Sequence, residues 1–111
     1  MKTKDQWFDE GNAALAVGDL AAAEHAYRTA AELAPGDLDL WHALGMAQYK
    51  QGRYEDAITS GLRAVAINPN DQMTWTSLSL AYMKNGKVPE AEAAAAKAKV
   101  ISWGGKVKLD S

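Results

Sequence analysis

The side chains best suited to catalysis or metal binding in this 111-residue sequence are two histidines and two pairs of adjacent carboxylates. Histidine transfers protons near neutral pH and binds metals, and two carboxylates that face one substrate act as general acid and general base. The acidic pairs are Asp9-Glu10 and Glu55-Asp56. Adjacent residues of a helix do not face each other, so we interpret both pairs as surface charge.

The two histidines fall on different predicted helices. His25 lies in the middle of an outer helix, where we interpret it as a solvated surface residue. His42 lies on an inner helix, and three interpretations stay open for it: contact with a bound partner, packing against a neighbouring helix, or metal ligation. Neither histidine has a nucleophile or a second ligand at a recognisable spacing.

Other motifs of catalysis and cofactor binding are missing from the sequence. Because the chain has no cysteine, disulfides, thiolate zinc sites, iron–sulfur clusters and a cysteine nucleophile are excluded. There is no glycine-rich phosphate loop, no nucleophile elbow and no HExxH sequence. We therefore expect no enzymatic activity, no cofactor and no bound metal.

The charge and the hydropathy of the sequence exclude some classes of binding partner. A net charge of −2 and a pI of about 5.6 argue against nucleic-acid binding, which is typical of domains with a pI above about 9. Residues 1–40 carry 8 acids and 3 bases, a charge of −5, and residues 41–111 carry 6 acids and 9 bases, a charge of +3. The two ends of the chain, or of two copies, can therefore attract each other. No apolar run approaches the roughly 18–20 residues of a membrane span, and the N-terminus lacks a signal-peptide core, so the expected location is cytoplasmic.

The elements that must position these side chains follow a repeat of 34 residues. The positions that share this step are Trp7, Trp41 and Trp75; Gly18, Gly52 and Gly86; Ala23, Ala57 and Ala91; and Ala30, Ala64 and Ala98. Within each unit, apolar residues recur at helical spacing and glycine interrupts the pattern, which predicts two helices per unit. The predicted helices are 4–17, 20–33, 38–51, 54–67, 72–85 and 88–101. We expect the repeat tryptophans, Trp41 among them, to be buried and Trp103 to stand past the last helix.

These positions resemble the tetratricopeptide repeat, whose pattern is W-x₂-L-G-x₂-Y followed by glycine, alanine, an aromatic residue, alanine and proline. Repeats at 4–37, 38–71 and 72–105, with a short tail at 106–111, would form a single domain over residues 1–111. The resemblance implies an all-α fold: an α-solenoid of three antiparallel helix-turn-helix repeats in a right-handed superhelix. The sequence departs from the pattern at four positions: Glu10 replaces leucine, Gly61 and Ala95 replace a large aromatic residue, and Trp103 replaces the last proline.

The resemblance also implies a concave groove lined by the first helix of each repeat. The residues that it places there, and that we select as a peptide-binding site, are Phe8, Asn12, His42, Met46, Tyr49, Met73, Thr76, Leu80 and Met83. Methionine is flexible and polarizable and suits surfaces that adapt to apolar ligands. Members of the family that clamp the C-terminal carboxylate of heat-shock chaperones use five cationic or amide side chains. Those positions are Phe8, Asn12, Ala43, Met73 and Ser77 here, so only Asn12 is kept and we expect no such clamp.

The sequence thus favours a protein–protein interaction module or adaptor that binds a peptide or helix of a partner in an apolar groove. Two alternatives stay open: a self-assembling homo-oligomeric scaffold joined through its terminal helices, and a small chaperone that shields an apolar client segment. At the C-terminus, the Gly104-Gly105 pair precludes a further helix. An extended tail carrying Val107 and Leu109 would cover the last helix, a second copy would cover it, or the tail would stay mobile.

Overall fold

The computed structural model describes residues 1–108 and shows an all-α solenoid of three helical hairpins. The six helices are α1 (Lys4–Ala16), α2 (Leu20–Leu33), α3 (Leu38–Lys50), α4 (Tyr54–Ile67), α5 (Gln72–Lys84) and α6 (Val88–Ser102). Helices α1, α3 and α5 each pack against the helix that follows, and α2 and α4 pack in turn against the first helix of the next hairpin. No helix in residues 1–108 is long and apolar enough to cross a membrane.

The first helix of each hairpin begins at a polar cap and ends at a glycine. Thr3 forms a capping box with Gln6 at the start of α1, and Asp37 and Asp71 accept backbone N–H bonds at the starts of α3 and α5. Gly18, at φ +81°, closes α1 in the left-handed region that favours glycine, and equivalent glycines close α3 and α5. The repeat in the sequence therefore reproduces the same turn inside every hairpin.

The tryptophans at the start of the repeats do not all have the same burial. Trp75 is 5% exposed, whereas Trp7 and Trp41 are half-buried and pack against the core, so the expected burial is found in full only at Trp75. The indole N–H of Trp41 donates to the carbonyl of Pro35 at 2.9 Å, and that of Trp75 donates to the carbonyl of Pro69 at 2.7 Å. Each of these bonds ties the first helix of a repeat to the loop before it.

A buried polar network joins the first two repeats. Glu24 is 5% exposed and accepts hydrogen bonds from Gln51 at 2.8 Å and from Gln48 at 3.3 Å, while Arg28 and Arg53 pair with its carboxylate at 2.5 Å. Burial alone would raise the pKa of Glu24, but the hydrogen bonds from Gln51, Gln48 and Arg28 and the charge of Arg53 together lower it. The carboxylate is therefore held in its charged form between α2, α3 and the turn after α3.

The segment after α6 folds back onto the third repeat. Val107 is 9% exposed and belongs to the same apolar cluster as Trp75, Leu78 and Ala98. The position of Val107 therefore supports the alternative in which the tail covers the last helix. Trp103, by contrast, is 77% exposed. Leu109, which we expected to share in this cover, lies outside the described residues.

Candidate functional site

A cavity of about 390 Å³ opens between α3, α4 and α5, where the second repeat meets the third. Its outer edge carries apolar side chains that stay exposed to solvent: Met46 is 41% exposed, Leu80 is 53% exposed and Met73 is 62% exposed. We call this cavity the α3–α5 cleft. The residues that line it are Trp41, His42, Gly45, Met46, Tyr49, Lys50, Ala57, Gly61, Met73, Thr74, Ser77, Leu78, Leu80 and Ala81.

The inner wall of the cleft is built from small residues and one leucine. Gly45 lies on α3 and Gly61 on α4, and the side chain of Leu78 lies directly over the Cα of Gly61. A Cβ atom at Gly61 would come within 2.7 Å of Leu78 Cδ2, so the close packing of α4 against α5 requires glycine there. Behind this wall, the Ser60 hydroxyl donates to Gln48 Oε1 at 2.7 Å.

The polar groups of the cleft are few and mostly cationic or neutral. His42 Nε2 and Ser77 Oγ are 3.4 Å apart and span the space between α3 and α5. Lys50 stands at the end of α3, and none of the ion pairs formed by residues 1–108 uses it. Such a lining suits an apolar ligand that is oriented by one or two polar contacts.

The structure brings five of the nine predicted site residues together at the cleft: His42, Met46, Tyr49, Met73 and Leu80. Thr76 and Met83 are exposed on α5 but do not line it. Met83 is 50% exposed, which keeps it available on the same helix.

The two predicted residues of the first repeat contact Tyr27. Phe8 packs against the ring of Tyr27, with 5.7 Å between the ring centroids. Asn12 Oδ1 accepts a hydrogen bond of 2.6 Å from the Tyr27 hydroxyl. Both residues therefore stabilise the first hairpin, and neither lies at the cleft.

Trp41, Gly45 and Ser77 also line the cleft, although the groove positions taken from the family resemblance do not include them. A signal was present at Gly61, which stands where the repeat pattern has a large aromatic residue. Small residues in place of a large one can leave a cavity beside them.

Metal binding finds no support in the described residues. Within residues 1–108, no three His, Cys, Asp or Glu side chains cluster closely enough to hold an ion. His25, the other histidine, is exposed and stands edge-on to Trp7, with ring centroids 5.7 Å apart. Asp56 forms an ion pair with Arg53 at 2.6 Å, in keeping with the interpretation of its acidic pair as surface charge.

Comparison with solved structures shows the same arrangement of helices in other proteins. The crystal structure of MamA superposes with a TM-score of 0.88 at 24% identity, covering 92% of this chain and 60% of the MamA chain. The second tetratricopeptide repeat domain of Spaghetti (RPAP3), bound to the HSP90 peptide SRMEEVD, superposes with a TM-score of 0.84 at 19% identity, over 90% of this chain and 93% of that one. The Sgt2 domain from Aspergillus fumigatus gives a TM-score of 0.84 at 25% identity, over 95% and 70%.

Comparison of sequences gives the family. The chain spans about three fifths of the length of the MamA structure that it matches, and no curated protein matches it by sequence. A family model described as tetratricopeptide repeat matches residues 8–72, which is more than half of the chain. The three hairpins and their 34-residue step agree with that match. The chain belongs to the tetratricopeptide repeat family.

Proposed function

We propose that this chain is a protein-interaction module that binds a peptide or helix of a partner in the α3–α5 cleft. The observation that carries the proposal is the ring of exposed Met46, Met73 and Leu80 around a cavity of about 390 Å³. Exposed apolar side chains around a cavity are typical of binding surfaces, since burying them releases about 25 cal/mol per Å². The proposed role is binding and not catalysis.

Two structural neighbours support a role in binding. The RPAP3 domain is bound to an HSP90 peptide, and another neighbour, with a TM-score of 0.85 and 20% identity, is the CopN–Scc3 complex. We propose a different mode of recognition from a carboxylate clamp. A clamp requires charged donors for the terminal carboxylate, and Phe8, Met73 and Ser77 cannot supply them.

The test is capture of binding proteins by wild-type chain and by a cleft variant. Met46→Glu combined with Leu80→Glu places two charges at the edge of the cleft, where a bound apolar segment would bury them at high cost. Leu62→Glu is the control, because Leu62 is 45% exposed on α4 and does not line the cleft. We expect wild type and the control to retain the same partners and the double variant to lose them at unchanged helicity. Partners retained by all three proteins would contradict the proposal.

A second candidate function, a homo-oligomeric scaffold, is favoured by the C-terminal end. Trp103 is 77% exposed and Val100 39% exposed, and both lie in the half of the chain that carries the excess of basic residues. Light scattering at rising protein concentration tests it. A mass that rises for wild type and stays monomeric for Trp103→Ala would favour self-assembly through this end.

A further inference from the structure

We propose that the α3–α5 cleft receives an aromatic side chain of the partner, with a carboxylate of the same segment next to it. The inference rests on the proposed function and adds the chemistry of the ligand. It comes from a comparison of the first repeat with the second, and from the charges that surround the cleft.

The first repeat contains the aromatic ring that the second repeat lacks. Tyr27 is 2% exposed, and its counterpart 34 positions later is Gly61. The Tyr27 ring lies so close to α1 that a Cβ at Gly11 would be 2.5 Å from its Cε1 atom. Gly45, the counterpart of Gly11, would meet nothing closer than Ser60 Cβ at 3.4 Å. A Cβ atom therefore has room at Gly45 that it lacks at Gly11.

The residues that contact the Tyr27 ring have counterparts that line the cleft. Phe8, Gly11 and Asn12 surround that ring in the first repeat. Their counterparts, 34 positions later, are His42, Gly45 and Met46, and all three line the cleft together with Gly61. Leu78 fills the place next to Gly61, so the open part of the cleft lies beside His42, Gly45 and Met46. We infer that a ring from the partner packs there.

The side chains at the edge of the cleft favour an aromatic guest over an aliphatic one. Met46 and Met73 both line the opening, and a thioether next to a ring makes favourable sulfur–aromatic contacts. Tyr49 already packs edge-to-face on Tyr54, with ring centroids 5.4 Å apart, and it also lines the cleft. Offset or edge-to-face pairing with a further ring is the preferred geometry for such a surface.

The charges at the cleft determine which type of residue is favoured next to the partner's aromatic side chain. Lys50 lines the cleft, and among the lining residues in the described chain there is no carboxylate. Lys84, 34 positions after Lys50, adds a second exposed cation at the end of α5. An aspartate or glutamate next to the partner's aromatic residue would lie against this positive edge, whereas a lysine or arginine would be repelled.

The same charges argue against a second copy as the occupant. The exposed aromatic ring of this chain is Trp103, and Lys99 lies over it at 5.8 Å from the ring centroid. Lys106 follows three positions later. Insertion of this tryptophan into the cleft of another molecule would bring these lysines toward Lys50.

Selection from a phage-displayed library of random 12-residue peptides, with the purified full chain as target, tests the inference. Selected phage are counted only if Leu80→Glu abolishes their binding and Leu62→Glu does not. Both substitutions replace exposed leucines, so the two variants are expected to fold alike. We expect enrichment of one Trp, Phe or Tyr with Asp or Glu within two positions. Alanine in place of the aromatic residue of a selected peptide should weaken its binding at least about tenfold.

The outcomes separate this inference from the proposed function. If no selected peptide depends on Leu80, the cleft is not a peptide site and the proposed function fails. If the peptides depend on Leu80 but carry aliphatic residues or basic flanks, the proposed function stands and this inference is wrong. A dimer of the chain that dissociates in both Leu80→Glu and Trp103→Ala would identify a second copy as the occupant and overturn it as well. Lys50→Glu should weaken the binding of the acidic peptides severalfold. An unchanged affinity would show that the partner's carboxylate does not interact with Lys50 and would contradict that part of the inference.

Discussion

Asn70 Oδ1 accepts a hydrogen bond of 2.7 Å from the backbone N–H of Val107, which ties the C-terminal segment to the loop between the second and third repeats. Val107 packs into the cluster around Trp75 and so covers part of the apolar surface of the third hairpin. The segment after α6 is therefore part of the folded structure.

Val107→Asp should lower the melting temperature by several degrees. Burial of a valine contributes about 1.5–3 kcal/mol, and each kcal/mol corresponds to roughly 4–8 °C in a domain of about 60–100 residues. Lys108→Asp is the matched control, because Lys108 is the exposed neighbour of Val107. Thermal melts followed by circular dichroism measure both variants. Equal melting temperatures for the two would show that Val107 covers nothing in solution.

Trp75→Ala should destabilise the chain far more than the same change at Trp103. Replacing a buried tryptophan by alanine costs about 3–5 kcal/mol, which approaches the whole stability of a small domain, about 5–15 kcal/mol. Trp103 is 77% exposed, so its loss should change stability by no more than about 0.5 kcal/mol. Urea unfolding of both variants provides the measurement. A Trp75→Ala midpoint close to that of wild type would contradict the burial of this ring.

Trp41→Ala is expected to fall between these two variants. Its ring is half-buried, keeps one hydrogen bond to Pro35 and carries the guanidinium of Arg63 at 4.9 Å from its centroid. The loss then includes part of the apolar burial and one cation–π contact, which contributes about 0.5–1 kcal/mol at exposed sites.

The positions of the helices could be predicted because local signals determine them. Every predicted start coincides with the structure, and every predicted end lies within one residue of it. Glycine at φ > 0 and proline between hairpins mark these boundaries directly in the sequence. Side-chain burial depends on distant residues and was harder to predict. The apolar Leu62 is 45% exposed, whereas the polar Ser60 on the same helix is buried and donates a hydrogen bond to Gln48.

The candidate site could be predicted only in part for a similar reason. A repeat pattern assigns the same orientation to equivalent residues, and Met46 and Leu80 do line the cleft. Phe8 and Asn12 do not line it, and both contact Tyr27 in the first repeat. In the sequence, the glycine at position 61 is the one local sign that the second repeat has no ring equivalent to that of Tyr27.

The two glycines at equivalent positions of α1 and α3 should respond in opposite ways to alanine. A Cβ at Gly11 would lie 2.5 Å from the Tyr27 ring, so Gly11→Ala forces a shift in the core that costs about 1–3 kcal/mol. A Cβ at Gly45 finds ordinary contact at 3.4 Å, and alanine is favoured over glycine inside a helix by about 1 kcal/mol. Chemical denaturation should therefore show Gly45→Ala at or above wild-type stability. Destabilisation of both variants to the same degree would contradict the difference between the two repeats.

The network around Glu24 predicts how stability depends on acidity. Burial opposes the charge of Glu24, yet the bonds from Gln51, Gln48 and Arg28 and the charge of Arg53 leave its folded-state pKa below the ordinary value of 4.5. A carboxylate with a lowered pKa stabilises the folded state at pH values above 4.5. That contribution is lost as the pH falls from about 4.5 through the folded-state pKa.

Glu24→Gln tests this dependence with an internal control. At pH 7 the variant lacks the carboxylate charge that pairs with Arg28 and Arg53, so it should be less stable than wild type, although Arg53 keeps its ion pair with Asp56. Below about pH 4.5 the unfolded wild-type chain binds a proton at Glu24 more readily than the folded chain does, so wild type loses stability that the glutamine variant never had, and the difference in the free energy of unfolding should shrink. Urea unfolding at pH 7 and pH 3 measures the two differences. Every other carboxylate is common to both proteins, so the titration of those groups cancels in the comparison. A difference that stays the same at pH 7 and pH 3 would mean that the charge of Glu24 does not hold the first two repeats together.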